Sequence, residues 1–235
     1  MLVLFLMVAN PRRAAAANVM NYGADGNDYF QFSNPSMAFD KASGFTTLIT
    51  FAMHVNSDGT LMIAGVACSN GVYVGPANWN SLIASLKAPP TTVTRYEVCI
   101  GGWTDTSFDN IKSLVASQGI GPGSILYKNF QALKNAVPGI DAINDDDEQT
   151  YDLNSSTNFA NMLGGLGYKF TMAPYTAQSF WVNLNNNITN CDYIYLQCYA
   201  GGAGNNPVQW NAAFGHGVVV IPGQESNTAN EHHPH

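Results

Sequence analysis

The chain has 235 residues, of which 46% are apolar and 11% are charged, and its formal net charge is −7. This apolar content is enough for one large core, and a single α/β barrel needs about 250 residues. Because 9 basic residues stand against 16 acidic ones, the composition argues against nucleic acid, whose phosphates require clustered Lys and Arg. A neutral polar partner fits this balance better.

Residues 1–17 differ from the rest of the chain. An apolar run at 2–8 is followed by Arg12 and Arg13 and then by alanines at 14–17, which is similar to the end of a secretion signal. The run is too short to span a bilayer, which takes about 20 residues. We predict a leader or signal remnant at 1–17, and with it a secreted, extracellular protein with no membrane partner. A vector-derived leader is the alternative.

Short β-type runs bounded by turn residues alternate with helix-like stretches along the remaining chain. We predict strands at 18–23, 46–55, 95–102, 139–148, 168–175, 191–200 and 217–223, and helices beginning near Asn78, Ser107, Ile125 and Asn154. Such alternation predicts a parallel sheet, either open and doubly wound or closed into a barrel. The segment NYGADGND at 21–28 lacks the GxGxxG spacing of a dinucleotide site.

Polar and aromatic residues gather where several of these strands end, which is the arrangement of a barrel active site. We therefore predict an α/β fold of the (β/α)8 TIM-barrel type, in one domain over residues 18–226, with a tail at 227–235. Only seven strands can be found, so the barrel is apparently truncated after the seventh. A gap between the first and seventh strands would leave unpaired edges, so we expect self-association through them or a marginally stable chain.

Four consecutive acids, Asp145 to Glu148, close the fourth predicted strand. Since side chains alternate along a strand, Asn144, Asp146 and Glu148 share one face, and Asp145 and Asp147 share the other. Crowded carboxylates raise each other's pKa, so Glu148 could stay protonated near neutral pH and act as a proton donor. These residues alone leave open a catalytic site, metal coordination or a structural acidic turn, although an EF-type calcium loop does not fit.

The pattern Asp141-x-x-Asn144-x-Asp146-x-Glu148 resembles the DxxDxDxE signature of glycoside hydrolase family 18, the chitinases and endo-N-acetylglucosaminidases. Three further segments resemble the family in chain order: CIGG at 99–102, TMAPY at 171–175 and LQCYAGG at 196–202. The resemblance covers about residues 18–226. It implies retaining, substrate-assisted hydrolysis of β-1,4-linked N-acetylglucosamine polymers, without cofactor or metal.

The resemblance also implies roles for single residues. Glu148 would protonate the glycosidic oxygen, Asp146 would hydrogen-bond the acetamido N–H of the sugar, and the Tyr199 hydroxyl would orient the acetamido oxygen. The substrate-binding positions that it implies are Asn144, Gln197, Tyr175, Tyr22, Trp103 and Gly102. The expected partners are chitin or N-acetylglucosamine oligosaccharides.

Two residues of this pattern favour different functions. The family's middle aspartate is Asn144 here, which favours a non-catalytic or weakly catalytic chitinase-like lectin. The presence of Glu148 favours the enzyme. His54 has no ligand-spaced partner in the sequence and is predicted to be structural, and nothing in the sequence accounts for Asp145 and Asp147 on the outward face.

Overall fold

The structure is a computed structural model that describes residues 2–5, 19–23, 34–215 and 217–226, with side chains described over 37–215 and 217–224. The strands in these ranges are β1 (Leu2–Phe5), β2 (Val19–Gly23), β3 (Thr47–Val55), β4 (Leu61–Met62), β5 (Val66–Ser69), β6 (Val72–Tyr73), β7 (Arg95–Gly101), β8 (Ala142–Asp146), β9 (Lys169–Met172), β10 (Cys191–Gln197) and β11 (Val219–Ser226). The helices are α1 (Asn34–Ala42), α2 (Trp79–Lys87), α3 (Ser107–Gln118), α4 (Ile125–Ala136), α5 (Leu153–Gly165), α6 (Gln178–Asn187) and α7 (Pro207–Phe214).

Seven parallel strands form the main sheet in the order β2-β3-β7-β8-β9-β10-β11. These are the seven strands predicted from the sequence, and at least one helix connects each to the next. Parallel neighbours need a crossover connection, and the helices supply it. The expected TIM-barrel-type architecture is confirmed, and it brings the carboxyl ends of all seven strands to one end of the sheet.

The parallel strands do not close on themselves, and the short strand β1 lies between the two outermost ones. It pairs antiparallel with β11 on one side and with β2 on the other. The prediction of unpaired edges at this gap is therefore wrong, because both edge strands have a backbone partner. Self-association through that gap loses its physical basis, while the prediction of a leader over residues 1–17 remains a prediction.

A small antiparallel extension, β4-β5-β6, continues from the end of β3. The sequence analysis missed it because its strands are only two to four residues long, too short to display an alternating pattern. It packs against α4, where the Asn129 side chain accepts from Gly71 N and donates to Gly59 O.

The core has two layers, which follow from the alternation of side chains along each strand. Leu48, Val98 and Leu196 point outward and pack under the helices, together with the fully buried Trp79 and Trp181. The alternate positions point into the barrel, where a smaller inner cluster consists of Ile49, Cys99, Tyr195 and Ile221. Within the described ranges, no helix combines the length and the apolarity needed to cross a membrane.

Candidate active site at the carboxyl end of strand β8

Strand β8 carries the acids into the centre of the molecule. All five of its residues are buried, and Asn144 and Asp146 lie on its inner face. Glu148 follows two residues after the strand end and is half-buried. The structure therefore places the predicted catalytic acids at the barrel end where catalytic groups of this fold lie.

Gln197, at the end of β10, connects the two inner acids. Its Nε2 donates to Asp146 Oδ1 at 2.9 Å, to the Ala173 carbonyl at 2.8 Å and weakly to Glu148 Oε1 at 3.5 Å. Sequence reasoning placed Gln197 in the sugar site. In the structure its two N–H groups bind Asp146 and the Ala173 carbonyl, and Glu148 lies at the limit of hydrogen-bond distance from the same nitrogen.

Both carboxyl groups favour the protonated form. Burial raises the pKa of Asp146 well above its usual value, and the charges of Glu148, Asp147 and Asp105 add to this, while the Gln197 hydrogen bond opposes it. Burial also raises the pKa of Glu148, which the Gln197 hydrogen bond lowers and the charge of Asp147 raises. A raised pKa makes a carboxyl group better suited to donate a proton near neutral pH.

The glycine pair at the end of β7 allows the close approach of β8. Gly101 and Gly102 have φ of 106° and 108°, a region that favours glycine. A Cβ at Gly101 would lie 2.3 Å from the Asp146 carbonyl oxygen, and Gly102 N donates to that same oxygen at 2.8 Å. Gly102 was predicted to bind substrate, and what the structure shows is its backbone holding Asp146.

The outward acids fold the chain that follows β8. Asp147 Oδ1 accepts from Gln149 N at 3.0 Å and Thr150 N at 2.8 Å, and its Oδ2 accepts from Tyr151 N at 2.7 Å. Asp145 Oδ1 accepts from Asp147 N at 2.9 Å, while Asp145 Oδ2 is buried without a hydrogen-bond partner. Asp147 therefore shapes the turn that presents Glu148, which supplies the role that the sequence did not reveal.

Asn144 is bound to a polar network inside the barrel, below Asp146. Its Nδ2 donates to Thr171 Oγ1 at 2.9 Å, and Thr171 donates to Glu97 Oε2 at 2.7 Å. The fully buried Glu97 also accepts from Tyr195 at 2.8 Å and from Arg95 at 2.5 Å. Sequence analysis missed Glu97 and Thr171, although one acid within the apolar run RYEVCIGG was a signal.

The predicted aromatic positions differ in how far their side chains are buried. Tyr199 is half-buried and packs against the inner cluster, and the Tyr175 ring lies close to Gly201. Trp103 is 75% exposed. Tyr22 lies on β2, but its side chain is outside the described residues.

Tyr151 was missed by sequence analysis. Burial raises the pKa of its phenol, and neighbouring Tyr175, Asp147 and Glu148 raise it further. Its hydroxyl is buried, and the raised pKa favours the neutral phenol beside Glu148. The ring packs edge-on against Phe180 and Trp181.

No group of three or more His, Cys, Asp and Glu side chains in the described part of the chain could hold a metal ion. Asp145 Oδ1, Asp146 and Asp147 accept from backbone N–H groups or from the Gln197 amide, while Asp145 Oδ2 has no hydrogen-bond partner.

The fold is similar to that of solved glycoside hydrolases. A chitinase from Rhizomucor miehei superposes with a TM-score of 0.50 and 14% identity, over 76% of this chain and 62% of that one. The Bacillus cereus spore cortex-lytic enzyme SleL superposes with a TM-score of 0.50 and 13% identity, over 83% of this chain and 45% of that one.

A tamarind chitinase-like lectin gives a TM-score of 0.42 and 12% identity, over 77% of this chain and 67% of that one. No protein-family model and no curated protein match the sequence. The chain spans less than two thirds of the length of the chitinase and of SleL. At these identities the similarity to the chitinase and to SleL shows the fold alone.

Proposed function

We propose that the chain is a glycoside hydrolase that cleaves β-1,4-linked N-acetylglucosamine polymers by a retaining, substrate-assisted mechanism. The observation that carries the proposal is the pair of Asp146 and Glu148 at the carboxyl end of β8, with an oxygen of each within 3.5 Å of the Gln197 amide nitrogen. Two adjacent carboxyl groups with raised pKa values suit proton donation followed by water activation at a single site.

In this mechanism Glu148 donates its proton to the glycosidic oxygen as the bond to the sugar breaks. The carbonyl oxygen of the substrate's own acetamido group attacks the anomeric carbon, and Asp146 accepts a hydrogen bond from the acetamido N–H. Glu148 then takes a proton from water, which opens the cyclic intermediate and retains the β configuration. Tyr199 orients the acetamido oxygen, and Tyr175 and Trp103 provide surfaces for the sugar rings.

A carbohydrate-binding protein with little turnover is the second candidate, and Asn144 favours it. An amide stands where the family signature has an aspartate, and this amide donates to Thr171. It cannot exchange a proton with Asp146, so the site holds one fewer titratable group than the signature provides. Both candidates predict sugar binding, and they differ in turnover.

The deciding experiment compares the parent with Glu148→Gln on N-acetylglucosamine oligosaccharides. Loss of the general acid should lower kcat about 10² to 10⁴-fold while the oligosaccharide still binds. Asp152→Asn is the matched control, because Asp152 caps α5 through Ser155 N and Asn is an equally good cap. Equal turnover by the parent and the Glu148 variant would remove Glu148 from its role, and negligible turnover by both, with binding intact, would support the lectin.

The nucleophile is tested by the substrate. Because the acetamido group takes part in the reaction, N-acetylated chains should be cut, whereas fully deacetylated chains and cellulose should not. NMR of the first products should show the β anomer. Comparable cleavage of cellulose, or an initial α anomer, would contradict the mechanism.

A further inference from the structure

The exposed Trp103 belongs to a short loop, residues 102–106, that connects β7 to α3; we call it the Trp103 loop. Its first residue is fixed to β8, because Gly102 N donates to the Asp146 carbonyl at 2.8 Å. Gln149 lies against its middle: with the amide oxygen facing the loop, the side chain accepts from Thr104 N at 2.9 Å and from Asp105 N at 3.2 Å. Both contacts tie the loop to the segment that carries Glu148.

A third contact comes from β3, on the other side of the loop. His54 Nδ1 is hydrogen-bonded and ion-paired to Asp105 Oδ2, and the His54 side chain is 53% exposed while that of Asp105 is 11% exposed. The other oxygen of Asp105 accepts from Ser107 N at 2.8 Å, at the beginning of α3. Asp105 is therefore the fixed point of the loop, and His54 holds it from the neighbouring strand.

We propose that His54 is a positioning residue that holds the Trp103 loop beside Glu148, so that a sugar stacked on Trp103 lies in register with the proton donor. The proposal rests on the proposed function for the sugar. It assigns a role to a histidine that the site chemistry does not use. Without His54, the loop keeps its contacts to β8 and to Gln149 but loses its hydrogen bond and ion pair to β3.

The attachment depends on pH. The hydrogen bond that His54 donates to Asp105 raises the pKa of His54 above its usual value, burial opposes this, and the charge of Asp105 supports it. Burial raises the pKa of Asp105, but the hydrogen bonds from His54 and Ser107 outweigh it and leave that pKa lowered. Among the described residues, Asp105 is the charged group that acts on His54, and Asp105 in turn acts on Asp146.

The direction of this pH dependence follows from the difference between the folded and unfolded pKa of His54. The folded-state pKa of His54 lies above its unfolded value of about 6.5. The charged pair is therefore complete below pH 6.5 and is lost as pH rises through the higher, folded-state value. We expect sugar affinity at the Trp103 loop to decrease over that interval.

The experiment uses the full chain and three variants. His54→Ala removes the contact, and His54→Asn keeps a side-chain N–H near the position of Nδ1 but carries no charge. Lys112→Ala is the control, because Lys112 is 52% exposed and forms a 3.3 Å ion pair with Asp152 that does not touch the loop. Binding of a chitooligosaccharide is followed by tryptophan fluorescence, to which Trp103 contributes the exposed indole, since Trp79, Trp181 and Trp210 are buried.

We expect His54→Ala to weaken binding about fivefold at pH 6 and Lys112→Ala to leave it unchanged. His54→Asn should restore part of the affinity and remove its decrease between pH 6 and 8. Amide hydrogen exchange provides a readout without sugar: peptides covering 102–107 should exchange faster in His54→Ala than in the parent or in Lys112→Ala.

The outcomes separate the two proposals. A parent that binds no oligosaccharide refutes the proposed function, and exchange over 102–107 then decides the positioning role on its own. Unchanged exchange in His54→Ala, or a pH dependence of binding that persists in His54→Asn, would overturn the inference.

Discussion

Replacing Asp147 should destabilise the chain through the turn that presents Glu148. Asp147 is 2% exposed, and its two oxygens accept from three consecutive backbone N–H groups, at 3.0, 2.8 and 2.7 Å. A hydrogen bond to a charged group contributes about 1.5–3 kcal/mol net. Because the turn is partly exposed, water replaces some of each lost bond, and we expect Asp147→Ala to cost about 3–4 kcal/mol in all.

Asp147→Asn tests how this free-energy cost is shared among the three hydrogen bonds. Asn keeps the oxygen that accepts from Gln149 N and Thr150 N, but its NH2 group faces the Tyr151 N–H and cannot accept from it. One bond of the three is lost, so the expected cost is about 1–2 kcal/mol. Both variants should also lower turnover, since Glu148 lies between the acid and the turn.

Urea unfolding followed by circular dichroism measures these differences. Asp109→Ala is the control, because the Asp109 side chain accepts from Thr150 Oγ1 at 2.9 Å and lies on the surface, so its loss should cost less than about 1 kcal/mol. Unfolding free energies of Asp147→Ala and parent within 0.5 kcal/mol of each other would refute the reasoning. Equal losses in the Ala and Asn variants would refute the division among the three bonds.

Two further substitutions probe buried carboxyl groups elsewhere. Burial raises the pKa of Asp40 to about 6, above its unfolded value of 3.8. Its ionisation therefore lowers the stability of the fold as pH rises from about 4 to 6, by at most about 3 kcal/mol. Thermal melts of Asp40→Asn should lack this decrease in stability. Asn144→Asp restores the family signature but places a carboxylate against Thr171 Oγ1, whose single proton already goes to Glu97. We therefore expect that variant to be less stable at pH 7 by about 1–3 kcal/mol and no more active; a stable variant with higher kcat would contradict this.

Much of the fold could be predicted from local patterns. The seven parallel strands are β-type runs bounded by turn residues, and four helices begin within one residue of the predicted positions. Helix α5 shows why residue type alone does not locate the start of a helix. Asn154, Ser155 and Ser156 are good caps by type, whereas the side chain that caps the helix is that of Asp152. A helix boundary depends on which side chain accepts from a free backbone N–H. Residue type limits the candidates for this cap but does not identify the one that the structure uses.

Part of the candidate site could also be predicted from the spacing of its residues in the sequence. Alternation along β8 was sufficient to place Asp146 on the inner face, because a strand has a period of two. Glu148 lies two residues beyond the observed end of β8, so its position depends on the turn that follows. The connection of both acids to Gln197 was not predictable by spacing, since 49 residues separate Glu148 from it. The resemblance named Gln197 as a substrate residue, and only the folded chain shows its amide hydrogen-bonded to both carboxyl groups.

Tertiary structure alone decided the contacts that cross between strands. His54 meets Asp105 over a separation of 51 residues, Glu97 meets Thr171 over 74, and β1 lies between β11 and β2. Each contact joins segments that become neighbours only when the parallel sheet brings distant strands side by side. By itself the sequence determined which elements form and which faces carry acid, because those properties depend on residues a few positions apart; which acid meets which partner depends on the packing of the whole sheet.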